Sequence, residues 1–158
     1  MIQYIEGKML RDMFVSGANN LQNHKDLVDK LNVFPVPDGD TGTNMSLTIS
    51  YAMKELSKVQ TNSITDIGKS LSKGSLMGAR GNSGVILSQI IRGFSKSIES
   101  KDKITTEEIE FACIFMFNGA LGIINYWIKN DFNGDIAEIA KNIEKLGYFG
   151  TNKYIYKK

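Results

Sequence analysis

Two carboxylates two residues apart, Asp38 and Asp40, stand in the run Asp38-Gly39-Asp40-Thr41-Gly42-Thr43-Asn44, among glycines and short hydroxyl and amide side chains. Oxygen donors in that pattern suit a hard cation. Mg²⁺ is held by one or two carboxylates and completes its shell with water and substrate phosphate. The spacing alone is weak, because Asp-Gly pairs are common in ordinary surface turns. The flanks strengthen it. Pro35 and Pro37 are the only prolines; each fixes its own φ and pushes its predecessor out of the α region, so 33–37 is expected to be a stiff, extended approach. Phe34, Val36 and Met45 are too apolar for a solvated loop and are expected to clamp the turn to a core, the rigid support a metal site requires.

A second stretch, Lys73-Gly74-Ser75-Leu76-Met77-Gly78-Ala79-Arg80-Gly81-Asn82-Ser83-Gly84-Val85, has four glycines. They let a backbone approach a ligand closely, with Arg80, Asn82 and Ser83 as polar contacts. It lacks the Lys-Ser/Thr ending of a Walker loop and the Gly-x-Gly start of a dinucleotide fingerprint. On spacing alone, a flexible inter-helix loop or close helix packing through small residues explains it as well. Both stretches feed predicted helices, whose exposed N–H groups and dipole favour anions such as phosphates. His24, the only histidine, has no nucleophile or carboxylate positioned beside it and reads as a solvated surface residue.

The elements that must carry these residues are helical. Ile2, Ile5, Met9, Met13, Phe14 and Leu21 have helical spacing that weakens at Gly17 and Asn19-Asn20, and a separate helix is predicted over 24–31. Thr43 or Asn44 is predicted as the N-cap of a helix through Met45, Ile49, Ala52 and Leu56, and Ser63 as the cap of one through Ile67 and Leu71. Val85 to Ile98 is apolar around much of its circumference, as suits a central helix. Thr105-Thr106-Glu107-Glu108 caps the apolar, aromatic segment Phe111 to Ile128, and Ile136 to Leu146 makes a last amphipathic helix ending at Gly147. Only Lys153-Tyr154-Ile155-Tyr156 alternates like a strand. The fold class is all-α, an antiparallel helical bundle.

Composition narrows the class. The chain's 158 residues suffice for one domain with a real core, and its 42% hydrophobic and 23% charged residues are ordinary for a soluble domain. A net charge of +2 with dispersed basic residues argues against nucleic-acid binding. The lone Cys113 excludes an internal disulfide and reads as a buried structural thiol. Neither a signal peptide nor a run of roughly 20 apolar residues is read from the sequence, so a cytoplasmic protein is expected.

Leu31-Asn32-Val33-Phe34-Pro35-Val36-Pro37-Asp38-Gly39-Asp40-Thr41-Gly42-Thr43-Asn44-Met45 and Met77-Gly78-Ala79-Arg80-Gly81-Asn82-Ser83-Gly84-Val85-Ile86-Leu87-Ser88-Gln89 together resemble the DhaL-like family, the ATP-binding domain of dihydroxyacetone kinases. Within it they are most similar to the kinase domain of FakA-type fatty acid kinases. The resemblance covers roughly residues 1–105 and implies a bundle or barrel of about eight helices holding Mg²⁺ and ATP or ADP at one end. It implies Asp38 and Asp40 as metal-ligating catalytic residues, with Asn32 at the place of a third ligating aspartate. It implies Thr41, Gly42, Thr43 and Asn44 near the phosphates, and Gly81, Asn82, Ser83 and Gly84 as a second nucleotide loop. A FakA-type enzyme phosphorylates a fatty acid carboxylate presented by a partner of the FakB (DegV-like) kind.

The last third, 106–158, departs from that pattern. A Lys-Pro-x-Glu-Gly-Thr loop has only a poor echo at 130–135, and an Asp-Ser-Gly-Gly-Lys-Gly loop is absent. Residues about 109–147 are instead weakly similar to the C-terminal helices of TetR-type regulators. Two expectations follow: a Mg²⁺-dependent phosphotransferase domain, or a catalytically impaired helical module for binding or homodimerisation.

Overall fold

A computed structural model of the chain describes residues 4–33, 37–99, 101–131 and 133–155, the last five by their backbone alone. Phe34, Pro35 and Val36, on which the stiff approach to the acidic turn was expected to rest, lie outside the described residues. Among the described residues six helices follow one another: α1 (Gly7–Leu31), α2 (Thr41–Leu56), α3 (Ile64–Gly78), α4 (Gly81–Ser97), α5 (Thr106–Lys129) and α6 (Ile136–Ile155). A two-residue strand β1 (Tyr4–Ile5) pairs antiparallel with β2 (Ile104–Thr105) and ties the start of α1 to the start of α5. The all-α bundle expected from the spacing is the observed architecture.

The core is built mainly by α1 to α4, joined by Ile109 and Met116 of α5 and by Ile5 and Ile104 of the strand pair. Leu10, Ile49, Ala52, Leu56, Ile64, Ile67, Leu71, Ile91, Phe94 and Ile98 are buried together, with Phe14 stacked at a tilt on Phe94, ring centroids 5.7 Å apart. Burying a Leu, Ile or Phe side chain is worth about 1.5–3 kcal/mol each, which is what holds helices of such length together. The centre of α2 lies backbone to backbone on α3: a β-carbon on Gly74 would stand 2.6 Å from Ala52 Cα. The glycines at 74 and 78 are therefore not loop residues, as the four-glycine reading allowed, but small positions inside α3 that let α2 approach. Helix packing through small residues was the correct member of that pair.

α1 grips both ends of α2. The guanidinium of Arg11 donates to the carbonyls of Leu56 (2.9 Å), Val59 (2.8 Å) and Thr61 (3.1 Å), tying α1 to the end of α2 and to the turn that follows it. At the far end, the Asp29 carboxylate accepts from Thr43. Between α2 and α3, Glu55 pairs with Lys58 and, at 2.9 Å, with Lys73.

Several expectations change. α1 runs unbroken through Gly17, Asn19 and Asn20 to Leu31, because tertiary packing along its length outweighs the weak propensity of three residues. The cap of α2 is Asp40, not Thr43 or Asn44, so the helix starts at Thr41. α6 continues past Gly147 to Ile155, and the tail read as strand-like is helical as far as it is described. Ser63 and Thr105 cap α3 and α5 as predicted, Thr105 within a complete capping box with Glu108. His24 is exposed, its Nδ1 donating to the Asn20 carbonyl at 2.8 Å.

α5 stands apart. It packs on α6 and only lightly on α4. Phe111, Ile114, Phe115, Phe117, Leu121 and Tyr126 remain substantially exposed. Among the described helices it is the one whose length and apolar composition would suffice to cross a membrane, which the sequence reading passed over. That criterion concerns length and composition only, and core helices of water-soluble proteins meet it too.

Hydrogen bonds from Lys58 and then Lys73 hold the Glu55 carboxyl well down, from 4.5 to about 2. A carboxyl whose pKa falls on folding stabilises the fold fully above its unfolded value and loses that contribution as pH drops through its folded value. Thermal unfolding followed from pH 5 to pH 2 is expected to show Glu55→Gln less stable than the parent at pH 5, with the difference closing as pH approaches 2.

Candidate functional site

The two motif regions, about 40 residues apart in sequence, meet at one end of the bundle. The antiparallel run of α2, α3 and α4 brings the starts of α2 and α4 side by side. Gly81 lies against the Asn44 side chain, and Gly84 against Thr48. Thr48 Oγ1 donates to the Asn44 carbonyl at 2.7 Å, and Ser83 Oγ approaches the Thr41 carbonyl at 3.5 Å. Gly39 (φ 64°) and Gly81 (φ 56°) turn the chain into the two helices, each in the left-handed region that disfavours a β-carbon.

Between them opens a cavity of about 640 Å³. Its polar end is made by Asn32, Asp38, Asp40, Thr41, Asn44, Gly81, Asn82 and Ser83, and its other wall is apolar, including Ile86, Leu87, Phe117 and Trp127. Asp38 is exposed and Asp40 half-buried at the rim. Asn32 Nδ2 donates to Asp38 Oδ1 at 2.6 Å and thereby orients that carboxylate. Leu87, Ile90 and Phe117 also line a neighbouring, almost wholly apolar cavity of about 330 Å³ among α1, α2, α4 and α5, where Cys113 sits half-buried and burial pushes its thiol pKa up.

Not every residue singled out in the sequence faces the cavity. Gly42, Thr43, Arg80 and Gly84 are absent from its lining. Gly42 is buried against the Lys25 carbonyl and Val28 of α1, where a β-carbon would not fit. Thr43 turns the same way: its N–H donates to Asp29 Oδ1 at 2.9 Å and its hydroxyl to Asp29 Oδ2 at 2.8 Å. The amides of Thr43 and Gly42 and the hydroxyl of Thr43, with Lys25 nearby, hold the Asp29 carboxyl below its ordinary range against the opposing effect of burial. So the first turn of α2 is already served by an anion from within the chain. α4 differs: its cap residue, Arg80, makes no side-chain bond to the first turn, whose residues Gly81, Asn82 and Ser83 border the cavity. Of the two helix starts, α4 presents backbone donors to a ligand.

Asp29 was missed by the sequence reading. Its only local signal is an acid in the last turn of a helix, the end that its own dipole makes unfavourable for negative charge.

Among the described residues no group of three or more His, Cys, Asp or Glu side chains converges as a metal cage. The donor set is two carboxylates at the mouth of a cleft. That fits Mg²⁺, which keeps waters and takes phosphate oxygens, and does not fit a fully protein-ligated metal.

Fold and site define an all-α bundle with an acidic loop and a glycine-containing helix start side by side at the polar end of one cleft. The sequence model of the DAK2 domain matches residues 35–123, more than half the chain. The protein belongs to the DAK2 domain family. The match spans both loops and continues into α5, past residue 105. The chain is 47% identical over 145 residues to an uncharacterized protein of Staphylococcus haemolyticus, covering 92% of the chain and 26% of that relative. It is 46% identical over 145 residues to one of Staphylococcus epidermidis, with the same coverage. A Staphylococcus aureus protein is 57% identical over 107 residues, 68% of the chain and 20% of the relative. The chain thus spans about a quarter or less of the length of these relatives.

A β-carbon at Gly81 meets both a positive φ and the Asn44 side chain. Gly81→Ala is expected to lose about 1–2 kcal/mol from the left-handed backbone alone. Gly17, mid-helix with open space around it, is the contrasting position. Gly17→Ala is expected to gain about 0.8–1 kcal/mol. Denaturant unfolding of the two variants checks both signs.

Proposed function

We propose that this chain is a Mg²⁺-dependent nucleotide-binding domain of the dihydroxyacetone kinase and fatty acid kinase type, which transfers the terminal phosphoryl group of ATP to a hydroxyl or fatty acyl carboxylate. The observation that carries the reading is the single cleft in which Asp38 and Asp40 face the open start of α4. Membership of the DAK2 family supports it, since domains of this type bind ADP or ATP.

In this reading Asp38 and Asp40 hold Mg²⁺, with Asn32 orienting Asp38. The metal, when bound, neutralises phosphate charge. The amides of Gly81, Asn82 and Ser83 bind phosphate oxygens, and Thr41 and Asn44 line the cavity beside them. An acceptor oxygen attacks the γ-phosphorus, the bond to the β-phosphate oxygen breaks, and ADP leaves; a carboxylate acceptor has no proton to lose, and a hydroxyl acceptor releases its proton to solvent. Fixed donors at a helix start steady the charge that spreads over the transferring group. The apolar wall with Leu87, Phe117 and Trp127 suits the base or the hydrocarbon part of an acceptor. A FakB-like carrier as partner and a cytoplasmic setting belong to the same proposal, as does a division into a nucleotide unit over 1–105 and appended helices over 106–158.

One observation favours a second reading. α5 leaves Phe111, Phe115, Leu121 and Tyr126 exposed, as the TetR-like similarity of this segment would suit, so the chain would act as a binding or dimerisation module with impaired catalysis.

Calorimetric titration with ADP separates the two. The first reading expects binding that strengthens with Mg²⁺ and weakens at least tenfold in both Asp38→Ala and Asp40→Ala, with helicity by circular dichroism unchanged. Equal affinity in the parent and both variants contradicts it.

A further inference from the structure

Asp29 is the acid nearest in sequence to the metal loop on its N-terminal side, yet it is not placed as a ligand. It lies outside the cavity lining, and both its oxygens are engaged, Oδ1 by the Thr43 amide and Oδ2 by the Thr43 hydroxyl. The nearby Gly42 amide adds to the pull that keeps this carboxylate ionised. Its own helix gives it no reason to be there, because a negative charge in a C-terminal turn opposes the helix dipole. Its backbone takes part as well: the Asp29 carbonyl accepts from the Asn32 amide at 3.1 Å and lies 3.7 Å from where a Gly39 β-carbon would stand. Asn32 in turn holds Asp38. One residue therefore bonds to the loop before the acidic pair and to the helix after it, and lies beside the turn between them.

We infer that Asp29 is a positioning residue, a carboxylate clamp that fixes Asp38 and Asp40 at the cleft by seating the first turn of α2 on α1. The assignment rests on the nucleotide reading above only for its functional consequence. Occupying the amide and hydroxyl of Thr43, the clamp also keeps a phosphate off the start of α2 and leaves the start of α4 as the phosphate seat. The clamp acts through the loop and touches neither metal nor substrate.

The natural control is Arg11, which holds the opposite end of α2 through three carbonyls and lies away from the cleft. Asp29→Ala, Asp29→Asn and Arg11→Met are made in the full chain. Thermal unfolding, Mg²⁺-dependent ADP affinity and amide hydrogen exchange are then measured on each. Asp29→Ala and Arg11→Met are expected to lower the melting temperature by similar amounts, roughly 2–8 °C each. Only Asp29→Ala weakens Mg²⁺-dependent ADP binding tenfold or more and speeds exchange at residues 39–44. Asp29→Asn, which keeps one acceptor oxygen, falls between parent and Asp29→Ala in both. Equal affinity losses in Asp29→Ala and Arg11→Met would reduce Asp29 to a structural cap and overturn the assignment. Should the parent bind no ADP, the nucleotide reading fails on its own, and the exchange data judge the clamp: unaltered exchange at 39–44 in Asp29→Ala overturns it.

Discussion

The Asp29 carboxylate lies in the last turn of α1, where that helix disfavours it, and receives the first donors of α2, where that helix needs an acceptor. Arg11 does the complementary thing about five turns earlier in α1, placing a cation on the carbonyl end of α2. The two helices are therefore locked in antiparallel register by opposite charges at opposite ends, each matched to the partner's dipole rather than its own. Everything at the cleft depends on that register. A slide of one turn, about 5.4 Å, would carry Asp38 and Asp40 away from Gly81 and Asn82. α3 then transmits the register: because Gly74 admits the backbone of α2, the chain returns with Gly81 beside Asn44.

Legibility in the sequence followed the range of the interactions concerned. Helix caps were readable wherever the partners lie within one turn, as at Ser63 with Asp66 and at Thr105 with Glu108. Helical spacing showed most of the apolar faces. Breaks were over-read: Gly17 and Asn19-Asn20 weaken a helix intrinsically, but packing of Leu10, Phe14, Ala18 and Leu21 carries α1 across them. The acidic pair and the Gly-Asn-Ser-Gly start stood out by residue type. The bond from Thr43 to Asp29 spans 14 residues, and nothing in the residue types of 24–31 marks which acid will be used. For the same reason Thr43 and Gly42 were grouped with the cavity residues, whereas the fold turns them toward α1. The four glycines of 74–84 divide by role in a way only the fold reveals, two inside α3 and two at the start of α4.

The polar end of the cleft opens onto an unusually apolar body. Leu87, Ile90 and Phe117 border both it and a second, almost wholly apolar cavity, and α5 closes both while packing only lightly on α4. Stiffness and looseness are thus unevenly placed. The carboxylates and the helix starts ride on α1 to α4, while the apolar wall is supplied partly by α5, whose Phe111, Phe115 and Tyr126 stay exposed. A site so built can hold charged groups at fixed distances and still admit apolar groups of differing shape.

The central claim is that the acidic loop and the start of α4 hold one metal–nucleotide complex between them. Mn²⁺ added with ADP to the ¹⁵N-labelled chain tests it most directly, since the paramagnetic ion broadens nearby amides according to distance. The account predicts selective broadening of two separate sets, amides of 38–44 and of 81–84, which requires ADP for full strength. Broadening at only one set, or centred on Glu107, Glu108 and Glu110 at the start of α5, would contradict it.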